Sequence, residues 1–395
     1  MKKMLVAMVA LAALVAFSAP AWAADEGPGP NFTVNGRFWV DMGYQNQSKE
    51  LTVNKKEDVT SAFINLDSNS YLAASFASAD KTTGGRIELG VSSKINNQEA
   101  VSLRHAYGWW KVGHCKLVAG HTDGWLGPVS VAPLQLFGQT QSTKYQLINW
   151  GHIYGGRNPQ VRFEWESGNF GFSLAAVQPA SEKLPNSAST VDLYANAPRF
   201  DLAVMFKAGG FWVQPGFGWS QLKAEGVVKG GDDTYTSMVA ILPAKFTVGP
   251  FTAKGELHWG QNLDTDWSGQ RLSGLGSLPQ NVPYIGTNGK VEDTKQVGGF
   301  LALEYKVIPA WTATAGFGIE KLSNDAWKKS VANGGAGWKN DEYTRKAYFI
   351  AFPYDVTKNF TIHPEFSYFD YGDNVKDSKD FGNEWLAGLE FKFLF

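Results

Sequence analysis

The last twelve residues, Glu384–Phe395, read E-W-L-A-G-L-E-F-K-F-L-F and contain the pattern that decides the fold. Every second side chain is apolar or small: Trp385, Ala387, Leu389, Phe391, Phe393 and Phe395. The positions between them include a carboxylate at Glu390 and an ammonium group at Lys392. Because successive side chains of a β-strand point to opposite faces, the pattern predicts one strand with an apolar face and a charged face.

The same alternation recurs from Asn31 onward in about sixteen segments. In the first segment, Arg37, Trp39 and Asp41 occupy alternate positions. The positions between and around them are apolar or small: Phe32, Val34, Gly36, Phe38, Val40, Met42 and Tyr44. Such segments exceed the length of about 5–6 residues that is usual in soluble sheets, and they match the roughly 9–11 residues of a tilted membrane crossing.

The connections between these segments alternate between short and long. The short ones are Ala79–Thr83, Val112–Cys115, Ser167–Phe170, Ala208–Phe211, Val248–Phe251, Ile308–Trp311 and Val356–Phe360. The long ones are Gln45–Ser61, Asn96–Ala100, Asp123–Pro159, Ala180–Arg199, Glu225–Thr234, Asp264–Thr294, Ser323–Tyr343 and Asp373–Asn383. A Greek-key sandwich has no reason to sort its connections in this way. The pattern therefore predicts an all-β, antiparallel up-and-down barrel of about sixteen transmembrane strands.

The N-terminus has the features of a secretory signal peptide. Lys2 and Lys3 precede an apolar run, Met4–Phe17, which is followed by Pro20 and the small-x-small triplet Ala21–Ala23. The run is too short to span a bilayer. We therefore expect a signal peptide over residues 1–23 that is cleaved after Ala23, a spacer over residues 24–30 and the barrel over residues 31–395.

Composition and motifs argue against several other functions. The 36 basic and 37 acidic residues give no basic footprint for nucleic acid. The single cysteine, Cys115, cannot form an internal disulfide, and no Cys/His spacing indicates a zinc site. The stretch that begins at Asp264 resembles a calcium loop, but Leu275 stands where a bidentate acid is needed. Since motifs for hydrolases, metalloproteases and nucleotide binding are also absent, we predict no enzyme activity, no metal and no cofactor.

Taken together, the export signal, the amphipathic strands, the sorted connections and the terminal Phe395 resemble the Gram-negative trimeric porins over essentially the whole mature chain. Within that family the resemblance is to the DcaP-like group, without its N-terminal coiled coil, because no heptads precede Asn31. The resemblance implies an outer-membrane location, short periplasmic turns, long extracellular loops and a homotrimer surrounded by outer-membrane lipid. It also implies that the barrel-assembly machinery reads the C-terminal strand through Trp385, Phe391, Phe393 and Phe395.

In porins the third long loop folds into the barrel and narrows it, and here the corresponding segment is 123–157. It begins with the sequence D-G-W-L-G-P at Asp123 and continues with an apolar stretch, Pro133–Phe137. An inward-folded loop needs apolar side chains that pack on the wall. The alternative is an exterior loop at a trimer interface.

If the apolar faces contact lipid, the charged faces line the pore. The predicted pore-lining residues are Arg37, Asp41, Arg86, Glu88, Arg104, Asp123, Arg162, Glu164, Lys254, Glu256, His258, Glu304, Lys306, Glu365, Glu390 and Lys392. The strand residues among them divide evenly between cations and acids, which predicts no strong ion selectivity. Many of them are expected to pair with cross-strand neighbours.

These features predict a passive diffusion channel for small hydrophilic solutes and ions. A channel specific for small carboxylates or sugars is the alternative within transport, and Trp39 and Trp110 could then form a sugar-stacking track. A barrel-embedded hydrolase is the alternative from another class, with His258 and Glu256 as the nearest approach to a catalytic pair. A structural or adhesive barrel is the third alternative, and it should have a lumen filled by large apolar side chains.

Overall fold

The computed structural model describes residues 30–51, 56–67, 69–93, 99–128, 147–179, 193–195, 197–228, 231–263, 267, 281–285, 291–329 and 338–395. The predicted signal peptide, almost all of the spacer, the apolar stretch 133–137 and the calcium-like stretch after residue 264 lie outside these ranges. Within them, sixteen antiparallel strands form one closed barrel, which confirms the predicted fold class. No helix in the same ranges is long and apolar enough to cross a bilayer.

The strands follow one another around the barrel in chain order. The first eight are β1 (Asn31–Gln47), β2 (Val59–Leu66 and Tyr71–Ala77), β3 (Thr83–Ser93), β4 (Glu99–Val112), β5 (Cys115–Asp123), β6 (Arg157–Ser167), β7 (Phe170–Val177) and β8 (Leu193–Ala195 and Arg199–Ala208). The others are β9 (Phe211–Val213 and Gly216–Val228), β10 (Gly231–Val248), β11 (Phe251–Gln261), β12 (Lys295–Ile308), β13 (Trp311–Ser323), β14 (Glu342–Ala351 and Tyr354–Thr357), β15 (Phe360–Asp370) and β16 (Asn383–Leu394).

Two further small elements lie between strands. A two-residue hairpin pairs Tyr284–Ile285 with Val291–Glu292, and a single helical turn spans Ala326–Lys329. Both fall within long connections, on the side of the barrel opposite the tight turns.

The barrel closes where the first strand meets the last. β1 pairs with β16 in a register that runs from Arg37↔Leu394 to Gln47↔Glu384, and its other edge pairs with both segments of β2. The backbone of Phe395 extends this ladder, because its carbonyl accepts a hydrogen bond from Gly36 N at 2.9 Å. Closure satisfies the backbone groups that an open sheet edge would expose to hydrocarbon.

The tight turns lie where the sequence predicts them. The turns 113–114, 168–169, 209–210, 249–250 and 309–310 have the predicted bounds, and the other two differ by one or two residues. Gly168, Gly209 and Gly249 have φ values of 57°, 56° and 54°. Two-residue hairpins need this left-handed backbone, which glycine adopts without steric cost.

One predicted long connection, Glu225–Thr234, is wrong. β9 continues to Val228 and β10 begins at Gly231, where these two residues pair, so only residues 229–230 remain between the strands. The prediction failed because backbone pairing continues beyond the membrane and needs no apolar alternation there. Most other long connections lie partly outside the described residues.

The apolar face of each strand is the exposed one. On β1 the side chains of Phe32, Val34 and Met42 are exposed, whereas Trp39 and Asp41 are buried. In water such a surface would be unfavourable, but a bilayer solvates it.

The barrel interior is more apolar on one side than the sequence suggests. A cluster of buried apolar side chains joins inward positions of β2 and of β12 to β16 to residues of the connecting segments: Phe63, Leu147, Trp150, Val282, Tyr284, Phe300, Ala302, Leu322, Trp327, Tyr343, Ala347, Phe349, Ala351, Phe369, Tyr371, Val375, Phe381 and Leu386. The sequence analysis placed charged side chains on the inward faces. It did not predict the apolar cluster, because alternation along a strand does not show which side chains of the connecting segments pack against that strand.

Candidate functional site

The segment 147–156, which ends the connection between β5 and β6, crosses the barrel interior. Gly151 N donates a hydrogen bond to Glu320 Oε1 on β13 at 3.0 Å, and Ile153 N donates to Glu256 Oε1 on β11 at 2.7 Å. The Trp150 ring lies 5.1 Å from the ring of Phe369 on β15. A chain that leaves β5, reaches β11–β15 and returns to β6 must pass through the inside of the barrel.

Buried charges hold this segment against the far wall. Glu256 also lies 3.1 Å from His152 Nδ1, and Glu320 accepts a hydrogen bond from Arg345 Nε at 2.9 Å. Charge-assisted hydrogen bonds of this kind are roughly twice as strong as neutral ones. Glu256 therefore has a structural role here. Neither Glu256 nor His258 is exposed, so the pair that the hydrolase alternative would use has no accessible position.

Glycines permit the close approach of the segment to the wall. A Cβ at Gly318 on β13 would overlap the carbonyl oxygen of Trp150, and one at Gly151 would overlap the carbonyl oxygen of Gly299. Gly151 also has a φ of 111°, which L side chains rarely adopt. Backbone can therefore pack directly on backbone at these positions.

On the opposite arc, arginines of neighbouring strands surround Tyr71 of β2. The guanidinium carbons of Arg37, Arg86 and Arg104 lie 4.8, 5.5 and 5.8 Å from the centre of the Tyr71 ring. Arg86 Nη2 donates to Glu88 Oε2 at 2.6 Å, and Arg104 Nε donates to Glu88 Oε1 at 2.7 Å. We call Tyr71 with these three arginines the arginine cluster.

A second group lies at the two ends of the connection between β5 and β6. The hydroxyl of Tyr154 donates to Asp123 Oδ1 at 2.6 Å, and Arg157 Nε and His105 Nε2 lie 3.5 and 3.6 Å from the same carboxylate. Burial, followed by the negative charge of Asp123, raises the pKa of Tyr154 well above its usual value. Tyr154 therefore stays protonated and keeps donating to Asp123 through neutral pH.

Further pairs continue along the inward face. Glu164 lies 2.7 Å from Arg162 Nε and 3.3 Å from Lys116 Nζ. Lys254 Nζ lies 2.6 Å from Glu304 Oε1. These contacts agree with the expectation that many of the charges pair with neighbours.

The structure places most predicted pore-lining residues on the inward face. Buried among them are Asp41, Glu88, Arg104, Arg162, Glu164, Glu256, His258, Glu365 and Glu390. Partly exposed are Arg37, Arg86, Asp123, Lys254, Glu304 and Lys392. Lys306 is exposed near the turn that follows β12, two residues beyond Glu304.

Trp39 and Trp110 do not form the stacking track that the sugar-specific alternative would use. β4 contains a bulge, because Glu88 of β3 pairs with His105 and the next residue, Leu89, pairs with Leu103. The extra residue at Arg104 reverses the faces of the rest of β4. Trp110 is consequently exposed on the outer surface, whereas Trp39 is buried inside, with Arg37 stacked 4.0 Å from its ring centre.

Arg199 Nη2 also donates to Asp201 Oδ2 at 2.7 Å, and Asp67 Oδ1 accepts from Asn69 N at 2.6 Å. The sequence analysis did not single out several inward residues that form the contacts described above: Asp67, Tyr71, His105, His152, Tyr154, Arg157, Arg199, Asp201, Glu320 and Arg345. Alternation within their strands could have identified Glu320, Arg345, Arg199 and Asp201. The contacts of Tyr154 and His152 have no local sequence signal, since their partners lie on other strands.

A model of the family described as Gram-negative porin matches residues 10–374. The chain belongs to the Gram-negative porins. This porin therefore forms a channel in the outer membrane, and the resemblance predicted from the sequence is confirmed. No curated protein sequence matches the chain.

Solved structures of similar fold include several outer-membrane channels. The DcaP channel of Acinetobacter baumannii has a TM-score of 0.70 and 17% identity, over 93% of this chain and 98% of that one. The anion-selective porin from Comamonas acidovorans has a TM-score of 0.60 and 10% identity, over 93% and 100%. The trimer form of OmpT from Vibrio cholerae has a TM-score of 0.57 and 12% identity, over the same shares. At these identities the similarity establishes the fold, and the similarity to DcaP agrees with the predicted subgroup.

Proposed function

We propose that this porin is a passive diffusion channel for small hydrophilic solutes and ions that favours anions. The observation that supports the anion preference is that, in two inward ion pairs, the cationic side chain is more exposed than the carboxylate. The side chain of Arg86 is 21% exposed and that of its partner Glu88 is 4% exposed. For Lys116 and Glu164 the values are 34% and 7%.

In these two pairs the carboxylate lies deeper in the wall than the cation, so a solute in the lumen meets the cation first. Arg37 on β1, Arg86 on β3 and Arg157 on β6 are partly exposed and add guanidinium groups to this surface, and a guanidinium keeps its charge at every physiological pH. An anion can then exchange one partner for the next on its way through the channel. Several other inward pairs do not show this difference. The two partners are about equally exposed in Arg162–Glu164, Lys254–Glu304 and Arg199–Asp201, and Asp123 is more exposed than Arg157 beside it.

We also infer that the segment 123–157 is the constriction. In support, residues 147–156 lie inside the barrel and are held to β11 and β13 through Glu256 and Glu320. Buried apolar side chains, among them Leu126 and Ile153, pack the two ends of the connection against the inner wall. The passage would then run between this segment and the arginine cluster.

The remaining expectations belong to the same proposal. A homotrimer is supported by the trimer form of OmpT, which shares the fold. We further propose a signal peptide that is cleaved after Ala23, surrounding outer-membrane lipid, and recognition of the C-terminal strand by the barrel-assembly machinery. The family and fold are those of a channel, and no catalytic step is part of the proposed function.

A channel specific for small carboxylates is the second candidate, because three guanidinium groups converge on Tyr71. Flux that saturates with carboxylate concentration would favour this candidate. Flux that stays proportional to concentration would favour simple diffusion. The sugar-specific alternative loses its support, since Trp39 and Trp110 do not share a face.

Single-channel conductance of the refolded protein across a salt gradient tests the proposal. We expect discrete steps in groups of three and a reversal potential on the anion-selective side. Replacing both Arg86 and Arg157 by glutamine should shift the reversal potential toward cations, because two exposed positive charges are removed. The matched control is Lys358→Gln, which removes an exposed charge from the tight turn between β14 and β15 and should leave the potential unchanged.

Two results would contradict the proposal separately. A folded barrel that conducts no current would reject the diffusion channel and favour a structural barrel, for which the internal apolar cluster would then be the explanation. A cation-selective reversal potential in the wild type would reject the anion preference alone.

A further inference from the structure

Three carboxylates meet inside the barrel at the seam where β1 joins β2 and β16. Asp41 of β1 and Glu390 of β16 are direct partners in the strand register. Asp67 follows the first segment of β2, and its backbone N donates to the carbonyl oxygen of Trp39 at 2.8 Å. One oxygen atom from each carboxylate lies within 4.8 Å of the other two.

Two of these carboxylates, Asp41 and Glu390, are buried and have few hydrogen-bond donors near them. Asp67 is partly exposed, and its Oδ1 accepts hydrogen bonds from Asn69 N at 2.6 Å and Asn69 Nδ2 at 2.9 Å. Asp41 is 2% exposed and Glu390 is 0% exposed. Within the described part of the chain, Asp41 Oδ1 and both carboxylate oxygens of Glu390 accept no hydrogen bond. An ionised carboxylate that is buried in this way is strongly unfavourable unless a cation compensates its charge.

The neighbouring positive side chains meet that need only in part. Lys392 Nζ lies 3.2 Å from Glu390 Oε1 and compensates one of the three carboxylates. Arg37 and Arg104 are close enough to act on Asp67 electrostatically. Their Nε atoms, however, donate to the carbonyl oxygen of Asn69 and to Glu88. Glu365, on the adjacent strand, adds a further negative charge near Asp41.

We propose that Asp41, Asp67 and Glu390 bind one divalent cation of the calcium type, which bridges β1, β2 and β16. Hard cations of this type take carboxylate oxygens as ligands. Ca²⁺ holds oxygens at about 2.3–2.6 Å, so two ligands of one ion can lie up to about 5 Å apart. Mg²⁺ needs about 2.0–2.1 Å and octahedral geometry, which tolerates less separation.

The position of the site suggests its role. β1 and β16 contain opposite ends of the barrel sequence, and the register that joins them closes the barrel. A cation held by both strands and by the break in β2 links this seam through side chains as well as backbone. Because the bound ion requires the closed seam, it stabilises the closed barrel against opening.

Terbium luminescence on the intact folded protein tests the site. The protein is kept in detergent, stripped with EDTA and titrated with TbCl₃, with excitation through tryptophan. Trp39 lies on the same inward face as Asp41, two residues away, and is positioned to sensitise a bound ion. We expect one site per chain, displacement of Tb³⁺ by CaCl₂, and a Ca²⁺-dependent rise in the midpoint of thermal unfolding.

The variants Asp41→Asn and Glu390→Gln, made separately, each remove one ligand charge while keeping the side-chain size. Each should weaken the apparent affinity for Tb³⁺ about tenfold or more, the loss seen even for outer-shell partners. Each should also lose the Ca²⁺-dependent rise in the unfolding midpoint. Asp377→Asn, in the exposed connection between β15 and β16, is the matched control and should keep both effects.

Either of two outcomes would overturn the proposal. One is wild-type protein that binds Tb³⁺ no better than the two seam variants do. The other has two parts: Ca²⁺ does not change the unfolding midpoint of the wild type, and in EDTA the Asp41→Asn variant has a higher unfolding midpoint than the wild type. That result would mean that the three carboxylates share protons instead of binding a cation. The wild-type titration decides the matter even if a seam variant fails to fold.

Discussion

At the residue scale, the packing inside this porin depends on glycines, whose missing side chains leave room for another backbone. The inner segment 147–156 follows the wall so closely that the Trp150 carbonyl takes the space of a Cβ at Gly318. Its other end is fixed by Tyr154, whose hydroxyl donates to Asp123 at 2.6 Å. Small changes at such positions should displace the segment, since the interior is packed too tightly to absorb an extra group.

Replacing Gly318 with alanine should therefore destabilise the folded protein by about 1–3 kcal/mol, the usual effect of overpacking. The added methyl group pushes Trp150 away from β13, so the single-channel conductance should also change. Denaturant unfolding in micelles and conductance measure the two effects. Gly108→Ala is the control, because its Cβ would meet its nearest neighbour, the Gly84 carbonyl, at an ordinary 3.6 Å. Equal stability of both variants would contradict the close packing.

At the element scale, the inner segment is attached to β11 and β13 by two buried carboxylates. Glu320 accepts from Gly151 N and from Arg345, and all of these groups are buried. Removal of one partner from a buried ion pair is costly, because the remaining charge stays in a medium of low dielectric. In an exposed ion pair, water solvates the charge that remains, so the loss of one partner costs little stability.

We expect Glu320→Gln to lower the free energy of unfolding by about 3–5 kcal/mol. It should also loosen the segment, which would appear as larger fluctuations of the open-channel current. Glu342→Gln is the matched control, since Glu342 forms an exposed pair with Lys321 and such pairs contribute about 0–1 kcal/mol. Similar losses in both variants, measured by urea unfolding, would show that Glu320 does not anchor the segment.

At the scale of the whole molecule, the channel is defined by the closure of the barrel and by two parts of its inner wall that differ in polarity. The arc of β1 to β8 contains the arginines around Tyr71 and Asp123, whereas the arc of β12 to β16 contains the apolar cluster with Trp150. The terminal Phe395 completes the seam, with backbone hydrogen bonds to Gly36 and its ring 5.3 Å from Phe38. The last residue is thus part of the ladder that closes the barrel.

Deletion of Phe395 should reduce the amount of folded barrel in the outer membrane several-fold or more. The deletion removes both backbone hydrogen bonds to Gly36 and the terminal aromatic group. Heat-modifiable migration of the protein in outer-membrane fractions measures the folded fraction. Phe366→Ala removes an aromatic side chain of similar exposure in the middle of β15 and should have a smaller effect. Equal effects would mean that Phe395 acts only as another lipid-facing side chain.

The sequence by itself determined the strands, the tight turns and the face that each strand turns to lipid. These features follow from side chains two residues apart and from glycines at two-residue turns, so their causes are local. The same alternation placed charged residues such as Arg86, Glu88 and Glu256 on the inward face. It failed at the β4 bulge, where one extra residue reverses the faces of the rest of the strand and turns Trp110 outward.

Only the tertiary structure decided which groups meet across the barrel. Ile153 reaches Glu256 over 103 positions of sequence, and Asp41 meets Glu390 only because the first strand closes on the last. Contacts of this kind depend on the shape of the closed barrel and on the route of the β5–β6 connection through it. Alternation along a strand contains no information about either, because a side chain that points inward can meet any part of the opposite wall.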